Sequence, residues 1–221
     1  MKLFISAITK FLLGAVLVGL LVFLPAWDLH YVNGWIFMGA LFIPMFIVGI
    51  IMMFVNPKLL EKRLSAKEKI SKQSTLIKLS GLMFIAGFVV AGLDYRFKWV
   101  ELPPYVTYIG LGIFLLSYIM YGEVLRENTY LSRTIEVQEG QKVVSTGLYG
   151  IVRHPMYTAS IFLFLSMPLV LGSILSFCIF LIYPVLIISR LLNEEKFLEK
   201  ELDGYIEYKQ KVKYRLIPFI W

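Results

Sequence analysis

The feature that most constrains this chain is a run of 33 residues, Met156–Ile188, without a charged side chain. Four largely apolar runs precede it: Phe11–Trp27, Trp35–Val55, Leu76–Leu93 and Tyr105–Gly122. A helix needs about 20 apolar residues, in a range of about 17–25, to cross the hydrocarbon layer of a bilayer. Hydrophobic residues make up 58% of the chain and charged residues 17%, so it is predicted to be an all-α integral membrane protein.

The longest run is too long for one ordinary span and short for two spans with a loop. Pro168, Gly172 and Ser173 lie in its middle, where a tight turn is expected. The run therefore predicts a tight helical hairpin, which brings the total to about six transmembrane helices.

The positions of the basic residues predict the orientation in the membrane. If the N-terminus is inside, the segments 28–34 and 94–104 face outside, and they hold only Arg96 and Lys98 of the 22 Lys and Arg residues. Basic residues concentrate on the cytosolic side of membrane proteins. Both termini are thus predicted to be cytosolic, in a plasma, inner or endoplasmic reticulum membrane, with Phe11–Trp27 as a retained span rather than a signal peptide.

Composition also excludes several classes of partner. The net charge of +7 is explained by membrane orientation, so no nucleic acid partner is expected. The single cysteine, Cys178, lies in an apolar run, and the two histidines, His30 and His154, are far apart in sequence. No metal-ligand spacing is present, and no metal site is predicted.

Three polar segments connect or follow the apolar runs. Segment 56–75 is predicted to be a surface helix at the headgroups. In segment 123–155, the alternation in TIEVQ and KVV around EGQ predicts a short extended or hairpin region. Segment 190–221 is predicted to be a cytosolic amphipathic helix that continues the last span, with a break at Gly204.

We divide the chain into four N-terminal spans, 1–122, and a C-terminal module, 123–221.

The hairpin places distant polar residues at one membrane surface. Because its two helices enter and leave on the same side, RHPMY before it must lie close to SRLLNEE after it. The predicted cluster comprises Gly147, Leu148, Tyr149, Arg153, His154, Pro155, Tyr157, Arg190, Glu194 and Glu195.

The chemistry of this cluster suits a ligand with several different groups. Arg and His donate hydrogen bonds to a carboxylate. A Glu pair accepts an ammonium group, and tyrosine faces stack on a base or meet an onium cation. S-adenosylmethionine carries all of these groups. Each residue also has a structural interpretation: Arg153 and Arg190 as membrane anchors, His154 as a helix cap, the tyrosines as interfacial aromatics and Glu194–Glu195 as a solvated face.

The C-terminal part resembles the isoprenylcysteine carboxyl methyltransferase family and the related phospholipid methyltransferases. The resemblance covers about Glu136–Pro218 and consists of GLY, RHPMY, an Arg four residues before the Glu pair, and YIEY followed by a basic tail with a proline. It implies a cytosol-facing cofactor pocket closed by the C-terminal segment, and a lipophilic acceptor that enters from the bilayer. The first four spans match no motif.

The predicted function is S-adenosylmethionine-dependent methyl transfer to a lipophilic acceptor. The candidate catalytic residues are Arg190, Glu195 and Arg153. The candidate cofactor-binding residues are Gly147, Leu148, Tyr149, Arg153, His154, Pro155, Tyr157 and Glu194. Two alternatives stay open at this point: an NADPH-dependent membrane reductase of the sterol type, and a non-enzymatic membrane protein or transporter.

Overall fold

The computed structural model describes residues 2–64, 71–131 and 135–221, and the regular structure of these residues is entirely helical, without a strand. The predicted all-α class is therefore confirmed. The helices are α1 (Lys2–Ala26), α2 (Val32–Val55), α3 (Pro57–Leu64), α4 (Ser71–Phe97), α5 (Pro104–Glu127), α6 (Pro155–Leu171), α7 (Ile174–Phe180), α8 (Ile182–Glu201) and α9 (Tyr205–Lys211), with a short 3₁₀ helix at Gly147–Gly150.

Five helical segments are long and apolar enough to cross a membrane. They are Leu3–Ala26, Val32–Val55, Thr75–Phe97, Pro104–Glu127 and Ile174–Glu201, the last of which combines α7 and α8. The apolar helix α6 is shorter, at 17 residues. At about 1.5 Å per residue it is roughly 25 Å long, so the total of six spans stays a prediction.

The surface of the helices is apolar where a bilayer would cover it. Leu13 and Leu24 of α1 are 64% and 60% exposed, and Leu116 and Ile119 of α5 are 67% and 70% exposed. Leaving such side chains in water costs about 25 cal/mol for each Å² of apolar surface. A continuous exposed apolar surface on helices of spanning length identifies an integral membrane protein.

The chain reverses direction at Gly172 and Ser173, inside the predicted turn region. Gly172 ends α6 in the left-handed conformation at φ 77°. The hydroxyl of Ser173 then caps the next helix by accepting a hydrogen bond from the backbone N–H of Ser176. The two arms run antiparallel, because Tyr183 Oη lies 3.1 Å from Ser160 Oγ.

The hairpin turn meets the connections between the other helices at one end of the bundle. Ser173 Oγ donates to the buried carboxylate of Asp94, near the end of α4, at 2.5 Å. Tyr31, before α2, donates to the carbonyl of Leu171 at 2.5 Å. The α6 helix thus reaches the full depth of the bundle. The opposite end carries the segments 56–64, 127–131, 135–155 and 190–221, and we call it the basic end.

The C-terminal segment is helical with the predicted interruption. The α8 helix continues the last apolar run to Glu201, and Gly204, at φ 80°, separates it from α9. The following tail turns back, since the N–H groups of Arg215 and Leu216 both donate to the carbonyl of Trp221. The cytosolic location of the C-terminal segment 190–221 stays a prediction.

Two other polar segments can be compared with the sequence prediction. Residues 135–144 form a turn at Glu139–Gly140, inside the predicted EGQ turn, but no strands; the backbone N–H of Gln138 donates to the side chain of Gln141 within this turn. In segment 56–75, α3 and the start of α4 are helical. Residues 65–70 and 132–134 lie outside the described part, and the predictions for them are not tested.

Close contact between α5 and α6 depends on a glycine. A Cβ atom at Gly110 would lie 2.7 Å from the Cβ of Leu169 and 3.0 Å from the backbone nitrogen of Val170. The two backbones can approach only because Gly110 has no side chain. At Gly112, on another face of α5, a Cβ would have no neighbour within 4 Å.

We expect Gly110→Ala to destabilise the protein by about 1–3 kcal/mol, because the added methyl group forces α6 outward. The measurement is the midpoint of thermal unfolding of the detergent-solubilised protein. Gly112→Ala is the matched control on the same helix and should keep or raise the wild-type midpoint, because alanine favours a helix more than glycine does. Equal midpoints for the two variants would contradict the described packing of α5 on α6.

Candidate active site

An open pocket lies at the basic end, between the segment after α5, the start of α6, and the helices α8 and α9. About 750 Å³ of empty space lies in and in front of it, open solvent included. The lining combines apolar residues with a few polar ones: Asn128, Tyr130, Leu131, Ile135, Glu136, Gln141, Lys142, Val143, Val144, Tyr149, Arg153, His154, Met156, Tyr157, Glu194, Leu198, Leu202, Tyr205 and Tyr208.

The local sequence explains how the pocket wall begins. Pro155 occupies the first turn of α6, where its missing N–H removes no helical hydrogen bond. Gly147, at φ 51°, opens the 3₁₀ helix against α5, and a Cβ there would lie 2.5 Å from the carboxyl carbon of Glu127. Conformation and space therefore both favour glycine at this position.

A buried carboxylate joins three separate parts of the basic end. Glu195 of α8 is 3% exposed. Its Oε1 accepts a hydrogen bond from Arg153 Nε at 2.7 Å and lies 3.3 Å from His154 Nε2. Its Oε2 accepts from Arg215 Nε at 2.9 Å. Three cationic or donor side chains thus compensate one buried negative charge.

Arg153 also binds the backbone of the C-terminal tail. Its Nη1 donates to the carbonyls of Val212 and Lys213, both at 2.8 Å. The backbone N–H of Arg153 donates to the carbonyl of Tyr214 at 2.9 Å. These bonds hold the tail against the start of α6.

The neighbouring carboxylate, Glu194, has a different environment. It lines the pocket and accepts a hydrogen bond from the hydroxyl of Tyr157. The same hydroxyl accepts from Arg190 Nε at 3.1 Å. The ring of Tyr157 stacks on His154, with ring centres 5.7 Å apart. Tyr157 therefore connects an arginine and a carboxylate at the inner wall of the pocket.

The predicted residues occur together at the basic end, but not all of them line the pocket. Those on the lining are Tyr149, Arg153, His154, Tyr157 and Glu194. Leu148 packs beside Tyr149 in a small apolar cluster, while Arg190 reaches the lining through Tyr157. Gly147, Pro155 and Glu195 support the wall from behind. The cofactor-binding and catalytic roles of these residues stay predictions.

Sequence reasoning missed the tyrosines of α9 as pocket residues. Tyr208 donates to the carbonyl of Tyr149 at 2.7 Å. Tyr205 is 4% exposed, and within the described part of the chain its hydroxyl has no hydrogen-bond partner. Burial raises the pKa of this phenol, which keeps it a neutral donor. The YIEY motif was the sequence feature that could have identified these two tyrosines as pocket residues. Its spacing is equally typical of the apolar face of a helix.

The pocket residues fit S-adenosylmethionine in three respects. The carboxylate of Glu194 suits an ammonium group, the hydroxyl of Tyr205 can donate to an acceptor atom, and Leu131, Ile135 and Met156 supply apolar walls. A buried hydroxyl without a partner is unfavourable by about 1–3 kcal/mol, so a ligand that accepts its hydrogen bond is favoured.

Comparison with known proteins shows similarities in sequence. Residues 105–203 match the family model of phospholipid methyltransferases. The Delta(14)-sterol reductase of Mus musculus is 28% identical over 117 residues, which are 47% of this chain and 28% of the reductase. The chain therefore spans less than a third of that relative.

The family match begins in α5 and ends just after α8, so it includes GLYG, RHPMY and the Glu194–Glu195 pair. The resemblance predicted from these motifs is confirmed, and the C-terminal part of the chain is similar to the phospholipid methyltransferase family.

Proposed function

We propose that this protein is a membrane methyltransferase that uses S-adenosylmethionine and acts on a lipophilic acceptor. The observation that carries the proposal is the pocket wall of Glu194, Tyr157 and Arg190, which lies within the segment similar to the phospholipid methyltransferases. The pocket opens at the end of a bundle whose sides are apolar, so a water-soluble cofactor and a lipid can both reach it.

The roles of the residues follow from their charges and positions. Glu194 holds the ammonium group of the cofactor, and the hydroxyl of Tyr205 donates to an acceptor atom. Gly147, Leu148, Tyr149, His154 and Pro155 shape the wall on the α6 side. When bound, S-adenosylmethionine supplies a methyl group on a positively charged sulfur. Alignment of reacting groups contributes about 7–11 kcal/mol to such reactions, so the main task of the chain is positioning.

For Arg153 and Glu195 the contacts favour a positioning role over the predicted catalytic one. Both are buried and paired with each other, and both are bound to the C-terminal tail. We propose that they keep the tail closed over the pocket. Arg190 is the better candidate for contact with the acceptor because it stands beside Tyr157 at the wall.

The class of acceptor decides whether a base is required. A carboxylic acid, as in prenylated cysteine, ordinarily has a pKa of about 4 and is already ionised at neutral pH. A thiol or an amine must first lose a proton, for which His154, on the pocket lining, is the candidate. We favour a carboxylate like that of isoprenylcysteine, and we propose a cytosolic location for the basic end.

A second candidate is an NADPH-dependent reductase. The similarity to the mouse Delta(14)-sterol reductase favours it, but the aligned segment is a small part of that enzyme. A non-enzymatic role or transport is the third alternative.

We expect methyl-labelled S-adenosylmethionine to transfer label to a lipid-soluble product in the presence of the purified protein. The acceptor panel is a farnesyl-cysteine analogue, a phospholipid amine and an alkyl thiol, with calorimetric titration of NADPH alongside. Binding of NADPH without binding of S-adenosylmethionine would reverse the order of the two enzymatic candidates. Binding of neither, with no label transferred, would favour the non-enzymatic alternative.

Glu194→Ala and Glu195→Ala should differ in their main effect. Glu194→Ala should abolish binding of S-adenosylmethionine in calorimetry, because it leaves the ammonium group unpaired. It should lower stability by only about 1–3 kcal/mol, because the buried hydroxyl of Tyr157 loses its acceptor. Glu195→Ala leaves the buried Arg153 unpaired and should destabilise the protein by about 3–5 kcal/mol. The exposed Glu201, also on α8, provides the control: Glu201→Ala should change neither quantity. Undiminished affinity in Glu194→Ala would contradict the assignment.

Tyr205→Phe should weaken cofactor binding without lowering stability. The substitution removes a hydroxyl that has no partner among the described residues, so folding loses nothing, whereas binding loses a hydrogen bond of about 0.5–1.5 kcal/mol. That corresponds to up to about tenfold in the dissociation constant. Tyr208→Phe is the matched control, since it loses its bond to Tyr149 and should lower the unfolding midpoint. A Tyr205→Phe variant with wild-type affinity would remove this residue from the site.

A further inference from the structure

A cationic side chain outside the pocket lining contacts a tyrosine of α5. Arg63 lies in the last turn of α3, and its Nη2 donates to the hydroxyl of Tyr121 on α5. The guanidinium carbon is 5.3 Å from the centre of the Tyr121 ring. The other terminal nitrogen, Nη1, is buried and has no hydrogen-bond partner within residues 2–64, 71–131 and 135–221.

A buried guanidinium nitrogen without a protein partner favours a bound acceptor at this position. Arginine keeps its charge under all physiological conditions, and leaving one of its buried N–H groups unsatisfied is unfavourable. Buried polar groups in folded proteins are almost always paired. The complementary partner is an oxyanion, because the planar guanidinium matches carboxylate and phosphate oxygens.

The position of Arg63 is held by its helix. Leu59 and Leu60 of α3 are 3% and 7% exposed, so this short helix is packed and not merely resting on the surface. Lys10 of α1 donates to the carbonyl of Leu64 at 2.9 Å and so satisfies the end of α3. Arg63 is therefore presented from a fixed element.

Apolar side chains are exposed near the end of α2, which precedes α3, and on α5, which carries Tyr121. Phe54 and Val55, at the end of α2, are 82% and 77% exposed, and Ile119 of α5 is 70% exposed. Tyr121 is also close enough to the pocket residue Tyr149 to affect its phenol. Burial is the main cause that raises the pKa of Tyr149, and the hydrogen bond from Asn128 lowers it. The nearby Glu194 and Tyr121 raise this pKa further.

We propose that Arg63 and Tyr121 form a recognition site for the oxyanion head, carboxylate or phosphate, of the lipophilic acceptor. The apolar tail of this amphiphile lies along the exposed ends of α2 and α5. The proposal rests on the proposed function for the identity of the ligand as acceptor, but the binding itself is measured without methyl transfer. Arg63 is thus assigned to specificity, and the first spans acquire a role in choosing the substrate.

The test is equilibrium binding of three probes to the full chain in neutral detergent: oleate, oleyl phosphate and the uncharged oleyl alcohol. The wild type should bind both anions more tightly than the alcohol. Arg63→Gln should lose about ten- to a hundredfold in affinity for the anions, as expected for a hydrogen bond to a charged group of about 1.5–3 kcal/mol, and keep its affinity for the alcohol. Lys58→Gln, an exposed cation on the same helix, should behave like the wild type.

Three results would overturn the proposal: wild-type anion binding in Arg63→Gln, equal binding of the three probes by the wild type, or displacement of oleate by inorganic phosphate at equal concentration. If Arg63→Gln does not fold, Arg63→Lys decides, because it keeps the charge and loses the planar fork. Calorimetry with S-adenosylmethionine separates the two proposals, since Arg63→Gln should bind it normally. If the wild type binds the anions through Arg63 but does not bind S-adenosylmethionine, the proposed function is refuted and the binding site at Arg63 is not.

Discussion

The architecture of the basic end depends on one buried carboxylate. A negative charge removed from water is strongly unfavourable unless nearby donors replace the lost hydration. Glu195 obtains them from Arg153 and His154 before α6 and from Arg215 in the tail. Because these three residues come from two distant parts of the chain, satisfying the charge forces the hairpin arms and the tail to meet. The pocket is the space left beside this junction.

Two adjacent glutamates on α8, Glu194 and Glu195, lie in different surroundings. Successive residues of an α-helix point about 100° apart, so Glu195 faces the junction while Glu194 faces the pocket through Tyr157. The same helix continues the last apolar run into the polar segment without a break. A continuous helix fixes the depth of Glu194 relative to the bilayer, which suits a site where a polar cofactor and an apolar acceptor are brought together.

Local signals predicted a large part of this arrangement. The apolar runs predicted the helical spans. Gly172 and Ser173 predicted the chain reversal, because a left-handed residue followed by a hydroxyl that caps a helix is typical of a turn between two helices. The RHPMY segment was recognised as the start of a helix beside the site. The alternation around EGQ predicted an extended or hairpin region, and the described residues there form the turn without strands, since an isolated two-stranded hairpin is only marginally stable. Hydropathy also placed most helix ends inside their true limits, because it reports lipid contact and not backbone hydrogen bonding.

The sequence by itself determined that the chain is helical, apolar along five long segments and charged at one end, since these properties depend on residues close together in the chain. The tertiary structure decided which polar groups are satisfied. It paired Arg153 and Glu195 with each other, left the hydroxyl of Tyr205 and one nitrogen of Arg63 without a partner among the described residues, and brought Tyr121 beside Arg63. The reason is physical: a polar side chain acquires its role from groups far away in sequence, and only packing determines which of those groups lie within hydrogen-bonding distance.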